Sequence, residues 1–406
     1  MPNYFQKHAF TERLIEDDPV SELKIVVVIP CFNEASLLPV FRSLNACNKP
    51  KSKFEVIAII NAGEHVDERI KHTNQICFQE ALSWINAQRL ENYHVFNFPS
   101  LPKKHAGVGL ARKIGMDEAA RRLPAEGIII NLDADCTVAE NYFVAIEAHF
   151  RNSNCDAASI YFEHPIHGES VEIQNAIIDY ELYLRYFINM QKLIGFPWAY
   201  QTIGSAMAVC NKVYLQQGGM NRRKAGEDFY FLQKIIELGN FSELNETTVF
   251  ASPRQSDRVP FGTGKAVNQI IEDGNYTAYN PHTFNQLADF FTEVDSLFGL
   301  SESGISAFVN KQSFALKQFL VEWTFTNKVL EIQKATSGKA AFRKRIFRAF
   351  NAFQLMKFCH FARDNGYPNV SIETAVNHLF KKLELAPDKN KLENLYTLRA
   401  FDKRTM

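Results

Sequence analysis

The sequence predicts an α/β protein with a mainly parallel sheet flanked by helices and a helical C-terminal region, and three observations predict it. Apolar, β-branched runs recur at 24–30, 54–60, 93–98 and 127–132. Segments with helical spacing of apolar residues separate them, which is the pattern of right-handed βαβ units. Residues able to do chemistry fall just after these runs, at the edge where open α/β sheets bind ligands.

Residues 1–23 are polar with a few aromatics and read as an extension packed on a main domain of 24–270. Lys24 to Pro30 is a buried strand, broken by Pro30-Cys-Phe-Asn-Glu34, after which Ser36 and the spacing of Leu37, Leu38, Phe41 and Leu44 open a helix. Phe54 to Ile60 repeats the strand signal, Asn61-Ala-Gly63 turns the chain, and a long helical segment runs through Trp84. Tyr93 to Phe98 is a third strand and Gly107 to Leu123 a helix. Gly127 to Leu132, with three consecutive isoleucines, is a fourth strand buried on both faces. Asp133 and Asp135 follow it, and a strand period of two would point both carboxylates the same way, as hard oxygen ligands for a divalent cation. Asp-x-Asp arises by chance in a chain of this length, so its position after a buried strand gives it weight.

Thr137-Val-Ala-Glu140 has capping-box spacing and predicts the start of the next helix. Asp156 to Phe162 is a fifth strand, Glu172 to Leu193 a long helix, Gly195 to Tyr200 an aromatic loop, and Thr247 to Ala251 a further strand. Beyond residue 270 the pattern is helical and aromatic, without a motif that carries chemistry.

Lys+Arg and Asp+Glu are 45 each, so the balance offers no argument for a nucleic-acid partner. The seven cysteines are scattered without a Cys-x-x-Cys pair, which points to reduced thiols and a cytoplasmic setting. The N-terminal stretch holds no apolar core of the kind a signal peptide needs, and no apolar run has the length of a membrane span.

Four constellations carry the functional reading, each beside a plainer one. Gly107-Val-Gly109-Leu-Ala-Arg112 lacks the third glycine of a dinucleotide fingerprint, yet a glycine-rich helix start with Arg112 suits a phosphate or nucleobase. Glu227-Asp228 can be two acids favouring a helix N-terminus, or a general base aimed into a cleft. The loop Arg254 to Lys265 can be a solvated turn, or a lid whose glycines and cations meet a diphosphate. Trp198, Tyr200 and Gln201 either close the core or stack on an acceptor sugar.

Together these residues resemble the family-two glycosyltransferases with the glycosyltransferase A-type fold, of the non-processive, bacterial type, over about residues 24 to 270. Val28-Ile-Pro-Cys-Phe-Asn-Glu34 is similar to the family's opening strand and turn, which implies that Pro30, Asn33 and Glu34 border the nucleotide. Gly109-Leu-Ala-Arg112-Lys113 is similar to its third-helix motif, with Lys113 replacing asparagine. Leu132-Asp-Ala-Asp135 matches the metal motif: the resemblance implies that Asp135 holds Mn²⁺ or Mg²⁺ on the donor diphosphate and that Asp133 touches metal or ribose. Gly226-Glu-Asp228 resembles the Glu-Asp motif, making Asp228 the base with Glu227 beside it. Gln255-Ser-Asp-Arg258-Val259 resembles the Gln-x-x-Arg-Trp motif, with valine in place of tryptophan. Asn61 stands where an acid commonly binds the base, and an amide can still bond uracil.

The implied reaction is one metal-dependent sugar transfer from a nucleotide-diphosphate donor, a UDP-sugar by resemblance, to an acceptor hydroxyl. Asp228 would deprotonate the acceptor, Arg258 and Lys265 would meet the departing diphosphate, and the product would be inverted. A retaining enzyme in which Asp228 is not a base, and a non-catalytic nucleotide-sugar sensor, are the alternatives. Between 332 and 363 every charged residue is basic, and Phe342, Ile346, Phe350, Phe353 and Phe361 keep helical spacing. Such a helix either lies on the inner face of a membrane near a lipid-linked or glycan acceptor, or packs its phenylalanines internally.

Overall fold

The computed structural model describes residues 2–258 and 262–404; Val259 lies outside them. The chain forms two compact units, the first from Met1–Ile173, Gln201–Asn268 and Arg399–Met406, the second from Gln174–Tyr200 and Gln269–Leu398.

The first unit is built on a sheet of eight strands: β1 (Leu23–Cys31), β2 (Lys53–Gly63), β3 (Tyr93–Leu101), β4 (Ile128–Asn131), β5 (Thr137–Val138), β6 (Ala157–Glu163), β7 (Met207–Cys210) and β8 (Phe241–Phe250). Their order across the sheet is β3-β2-β1-β4-β7-β6-β8-β5. β1 lies between β2 and β4, β3 flanks β2, and these pairings are parallel, as are β6 and β8. β7 runs antiparallel to β4 and β6. The expected class, a mainly parallel sheet flanked by helices, is the one observed. Its core follows from composition: Ile25 through Ile29 and Val56 through Ile60 are fully buried, so the continuous β-branched runs form the centre of the layer. β1 continues through Pro30, which pairs with Ile59, instead of breaking there.

The helices of this unit are α1 (Pro2–His8), α2 (Leu38–Ala46), α3 (Glu68–Gln88), α4 (Val108–Arg122), α5 (Tyr142–Ser153) and, after the long α6 (Val171–Leu193), α7 (Asn211–Gln216) and α8 (Glu227–Ile236), while α6 and α9 (Thr263–Asp273) each have residues in both units. α4 is polar in sequence yet buried almost all round. The N-terminal extension makes this tolerable, because each buried charge receives a partner. Tyr4 donates to Asp117 at 2.8 Å, the Leu14 and Ile15 amides donate to Glu118 at 3.0 and 3.1 Å, and Lys113 pairs with Asp117 at 3.0 Å. Arg122 bridges to Glu55 at 2.5 Å.

The predicted capping box at Thr137 is overturned. Thr137 and Val138 pair with Phe250 and Val249 as β5, and the Ala139 amide donates to Thr248 at 3.0 Å. A sheet partner distant in sequence captures the segment before a helix can start, and α5 begins at Tyr142 after Asn141. The last residues join this unit as well: Lys403 pairs with Glu163 at 2.8 Å, Arg399 donates to the His164 carbonyl at 2.8 Å, and Asn245 donates to the Asp402 carbonyl at 2.9 Å.

The second unit is helical apart from a two-strand ladder of Thr277–Ala278 with Val370–Ser371. It is cored by phenylalanine: Phe290 meets Phe325 edge-on at 5.4 Å and Phe291 meets Phe350 at 5.4 Å. The 332–363 segment is divided among three helices, Phe325–Lys334, Lys339–Ala349 and Ala352–Asp364. Phe342, Ile346 and Phe350 are buried in this core, so the apolar face a membrane-surface helix would offer is already occupied. Among the described residues no helix is long and apolar enough to cross a membrane.

Candidate active site

The carboxyl ends of β1 and β4 bring together two clusters of charge, both in the first unit. After β1 the chain turns at Asn33, whose φ of 53° is left-handed and whose amide donates to the Asn74 side chain at 2.9 Å. That turn presents Glu34. Arg254 grips Glu34 with both terminal nitrogens, one of them at 2.8 Å, and also pairs with Asp135 at 2.8 Å. Arg258 pairs with Glu34, donates to the Phe32 carbonyl at 2.9 Å and stands 4.0 Å from Asp135. Burial and the neighbouring Asp133 charge push the Asp135 carboxyl up, against the pull of Arg254 and Arg258.

The second cluster is centred on Arg112, one turn into α4. Its guanidinium donates to Asp133 at 2.6 Å and to Glu227, and Arg112 and Glu227 are 4% and 2% exposed. Burial works against the Arg112 charge; the carboxylates of Asp133, Glu227 and Asp228 overcome it and hold its pKa above the usual value. Arg112, expected to approach a phosphate or nucleobase, is here buried with its guanidinium bonded to two protein carboxylates. Glu227 likewise is buried against Arg112, whereas Asp228 is half-buried. The Phe229 amide donates to its Oδ1 at 2.8 Å, and burial, reinforced by Asp133 and opposed by Arg112, raises the Asp228 pKa.

Gly204 gives Arg112 its room: a Cβ there would stand 2.2–2.4 Å from the guanidinium atoms. Gly204→Ala is therefore expected to push Arg112 off one carboxylate and cost about 1–3 kcal/mol. Urea unfolding measures this, and a midpoint equal to wild type would show that the guanidinium has room to move.

Asp133 and Asp135 do not share one face of a strand. β4 ends at Asn131, the Cys136 amide closes a turn onto the Asp133 carbonyl at 3.1 Å, and the two carboxylates meet different arginines. Among the described residues no group of three or more His, Cys, Asp or Glu gathers as a metal cage. The two side chains are 36% and 27% exposed, however, and two carboxylates with ligand phosphate and water are the donor set that Mg²⁺ or Mn²⁺ uses at nucleotide sites. The pair therefore fits a metal shared with a diphosphate.

The remaining predicted residues divide. Asn61 is buried and its Nδ2 donates to the Cys31 carbonyl at 2.9 Å, so its amide donor braces the turn after β1 instead of being offered to a base. Lys265 opens α9 and pairs loosely with Asp257 at 3.5 Å. Trp198 is buried in the second unit, edge-on to Phe196 at 6.0 Å. Tyr200 belongs to that unit and Gln201 to the first. Two residues of the site were not singled out in the sequence. Arg254 stands just before the Gln255–Val259 stretch and so falls outside that motif. Asn74, whose Nδ2 donates to the Asn61 carbonyl at 2.9 Å, is an isolated polar residue on a helix and has no local signal.

No family model and no curated protein matches the chain. Among solved structures it is similar to S. aureus TarS 1-349 in complex with UDP-GlcNAc, at 16% identity over 90% of this chain and 93% of that one, with a TM-score of 0.43. It is also similar to GalNAc-T7 with UDP, GalNAc and Mn²⁺, at 13% identity over 86% of this chain and 58% of that one, with a TM-score of 0.41. At this level of likeness the functional reading rests on the chemistry of the site itself.

Proposed function

We propose that this chain transfers a sugar from a UDP-sugar to an acceptor hydroxyl, one residue per event and with inversion. The observation that supports it is the gathering of Asp133, Asp135, Arg254, Arg258 and Asp228 at the carboxyl ends of β1 and β4 and the start of α8. Arg254 and Arg258 hold carboxylates that a diphosphate can replace, oxygen for oxygen, so donor binding exchanges internal ion pairs for pairs to the ligand. As the bond to the anomeric carbon breaks, both arginines are placed to stabilise the charge that gathers on the leaving diphosphate. Asp228 takes the proton of the attacking hydroxyl. Glu227 keeps Arg112 in place, and Arg112 fixes Asp133. A bound Mn²⁺ or Mg²⁺, held by Asp133 and Asp135, would supply further neutralisation of the diphosphate. Pro30, Asn33 and Lys265 border the nucleotide in this reading, and Gln201 serves the acceptor.

A thermal-shift titration of the purified chain with UDP, GDP, CMP and dTDP, with and without Mn²⁺, tests the donor. Saturation at one hundred times Kd adds about 2.7 kcal/mol to stability. The expected result is a Mn²⁺-dependent shift with UDP that disappears in Asp135→Ala. A shift of equal size in that variant would remove Asp135 from the site, and no shift with any nucleotide would end the transferase reading. The anomeric configuration of the product, read by NMR, decides between inversion and retention.

A further inference from the structure

The site's arginines are all paired with carboxylates, but a group of basic side chains beside it has no carboxylate partner among the described residues. Lys103, Lys104 and His105 lie on the loop between β3 and α4, and Arg222, Arg223 and Lys224 lie on the loop that leads into α8. The two loops touch through glycine. A Cβ on Gly107 would stand 3.1 Å from the Lys224 Cα, and one on Gly109 would stand 2.2 Å from the Arg223 carbonyl oxygen and 3.0 Å from the Glu227 Cβ. The start of α4 is thus pressed between the basic loop and the residue preceding the proposed base.

The second loop is braced from inside. Asn221 donates to the Glu227 carbonyl at 2.8 Å and accepts from the Arg223 amide at 3.1 Å, and the Arg223 guanidinium lies 3.6 Å over the Tyr230 ring. Lys103, Lys104, Arg222 and Lys224 are exposed, and among the described residues none of them forms an ion pair with a carboxylate. The acid beside them is Glu64, which accepts the Lys103 backbone amide at 3.0 Å. The field of the group is felt locally: after burial, Arg222, Lys104 and Lys224 are what hold the His105 pKa below its ordinary value. In a chain with no net charge, this many unpaired cations on two interlocked loops form a local anion field.

We propose that these two loops anchor an acceptor chain that carries phosphate groups, holding it so that a hydroxyl reaches Asp228; this rests on the transferase reading. A carboxylate offers two oxygens and is satisfied by one guanidinium fork, whereas a phosphate spreads its oxygens among several donors from different loops. The cations here are dispersed over two loops, which fits the second case. Their position, four residues before Asp228 for Lys224, fits an acceptor-side role, since Arg254 and Arg258 already serve the proposed donor diphosphate.

The test uses the full chain and the variant Arg222→Ser/Lys224→Ser, exposed substitutions that leave the braces at Asn221 and Arg223 intact. Isothermal titration would compare a six-unit glycerol phosphodiester with neutral hexaglycerol, a thymidine hexanucleotide and UDP. We expect wild type to prefer the phosphodiester over hexaglycerol by at least about tenfold, with the preference weakening as salt is raised. The variant should lose that preference while UDP affinity stays within about twofold. Equal binding of phosphodiester and hexaglycerol would overturn the proposal as a merely solvated surface. Equal binding of the hexanucleotide would overturn it in favour of a non-specific polyanion surface, and a parallel loss of UDP affinity would reassign the loops to the donor. Failure of wild type to bind UDP, with the phosphodiester preference intact, would count against the transferase reading and leave the anion site standing.

Discussion

Asp228→Asn is expected to lower kcat/KM for sugar transfer by roughly 10²–10⁴-fold, the range a general base contributes. Donor affinity should persist, because the asparagine carbonyl can still accept the Phe229 amide and no partner of the diphosphate is removed. The pH profile adds a second reading. Burial comes first among the causes that raise the Asp228 pKa, and Asp133 adds to it. A base must be ionised to act, so kcat/KM should climb as pH rises through a midpoint above the ordinary aspartate value of about 3.9. Stopped assays over a pH series measure the midpoint. Wild-type turnover in Asp228→Asn would remove the residue from the chemistry, and unchanged activity with an inverted product would require another base.

Arg112→Met is expected to be the most damaging single substitution for stability, at about 3–5 kcal/mol, because it leaves Glu227 buried without its counter-charge. Asp133, 36% exposed, regains water and adds less to the loss. Pairing the change with Glu227→Gln removes the stranded charge, so the double variant should recover part of the loss, and a double-mutant cycle from urea unfolding gives the coupling. Additive costs in that cycle would show that the two side chains do not depend on each other. If Arg112 instead served as a ligand contact with a dispensable protein pairing, Arg112→Met would keep its midpoint and lose only UDP affinity.

Much of the first unit is legible in the sequence because its strands are buried on both faces and therefore consist of uninterrupted apolar runs. Ile25 to Ile29 and Ile128 to Ile130 need no partner to be recognised. The acids after β4 and at the start of α8 are legible from their places at the ends of such elements, and the 254–265 loop from its glycines and cations. At Thr137 a local capping pattern and a two-residue strand share the same residues, and only the distant β8 decides between them.

The sequence by itself determined the buried strands, their alternation with helices and the neighbourhoods where charge collects, since each follows from periodicity or from a turn within a few residues. The tertiary structure alone decided which charges are spent and which are offered. Arg112 and Glu227 lie 115 positions apart, and Arg254 and Glu34 lie 220 apart. No local pattern links such residues. Their pairing appears only when the sheet closes and water leaves, because a charge losing its hydration must find a partner wherever the fold has put one.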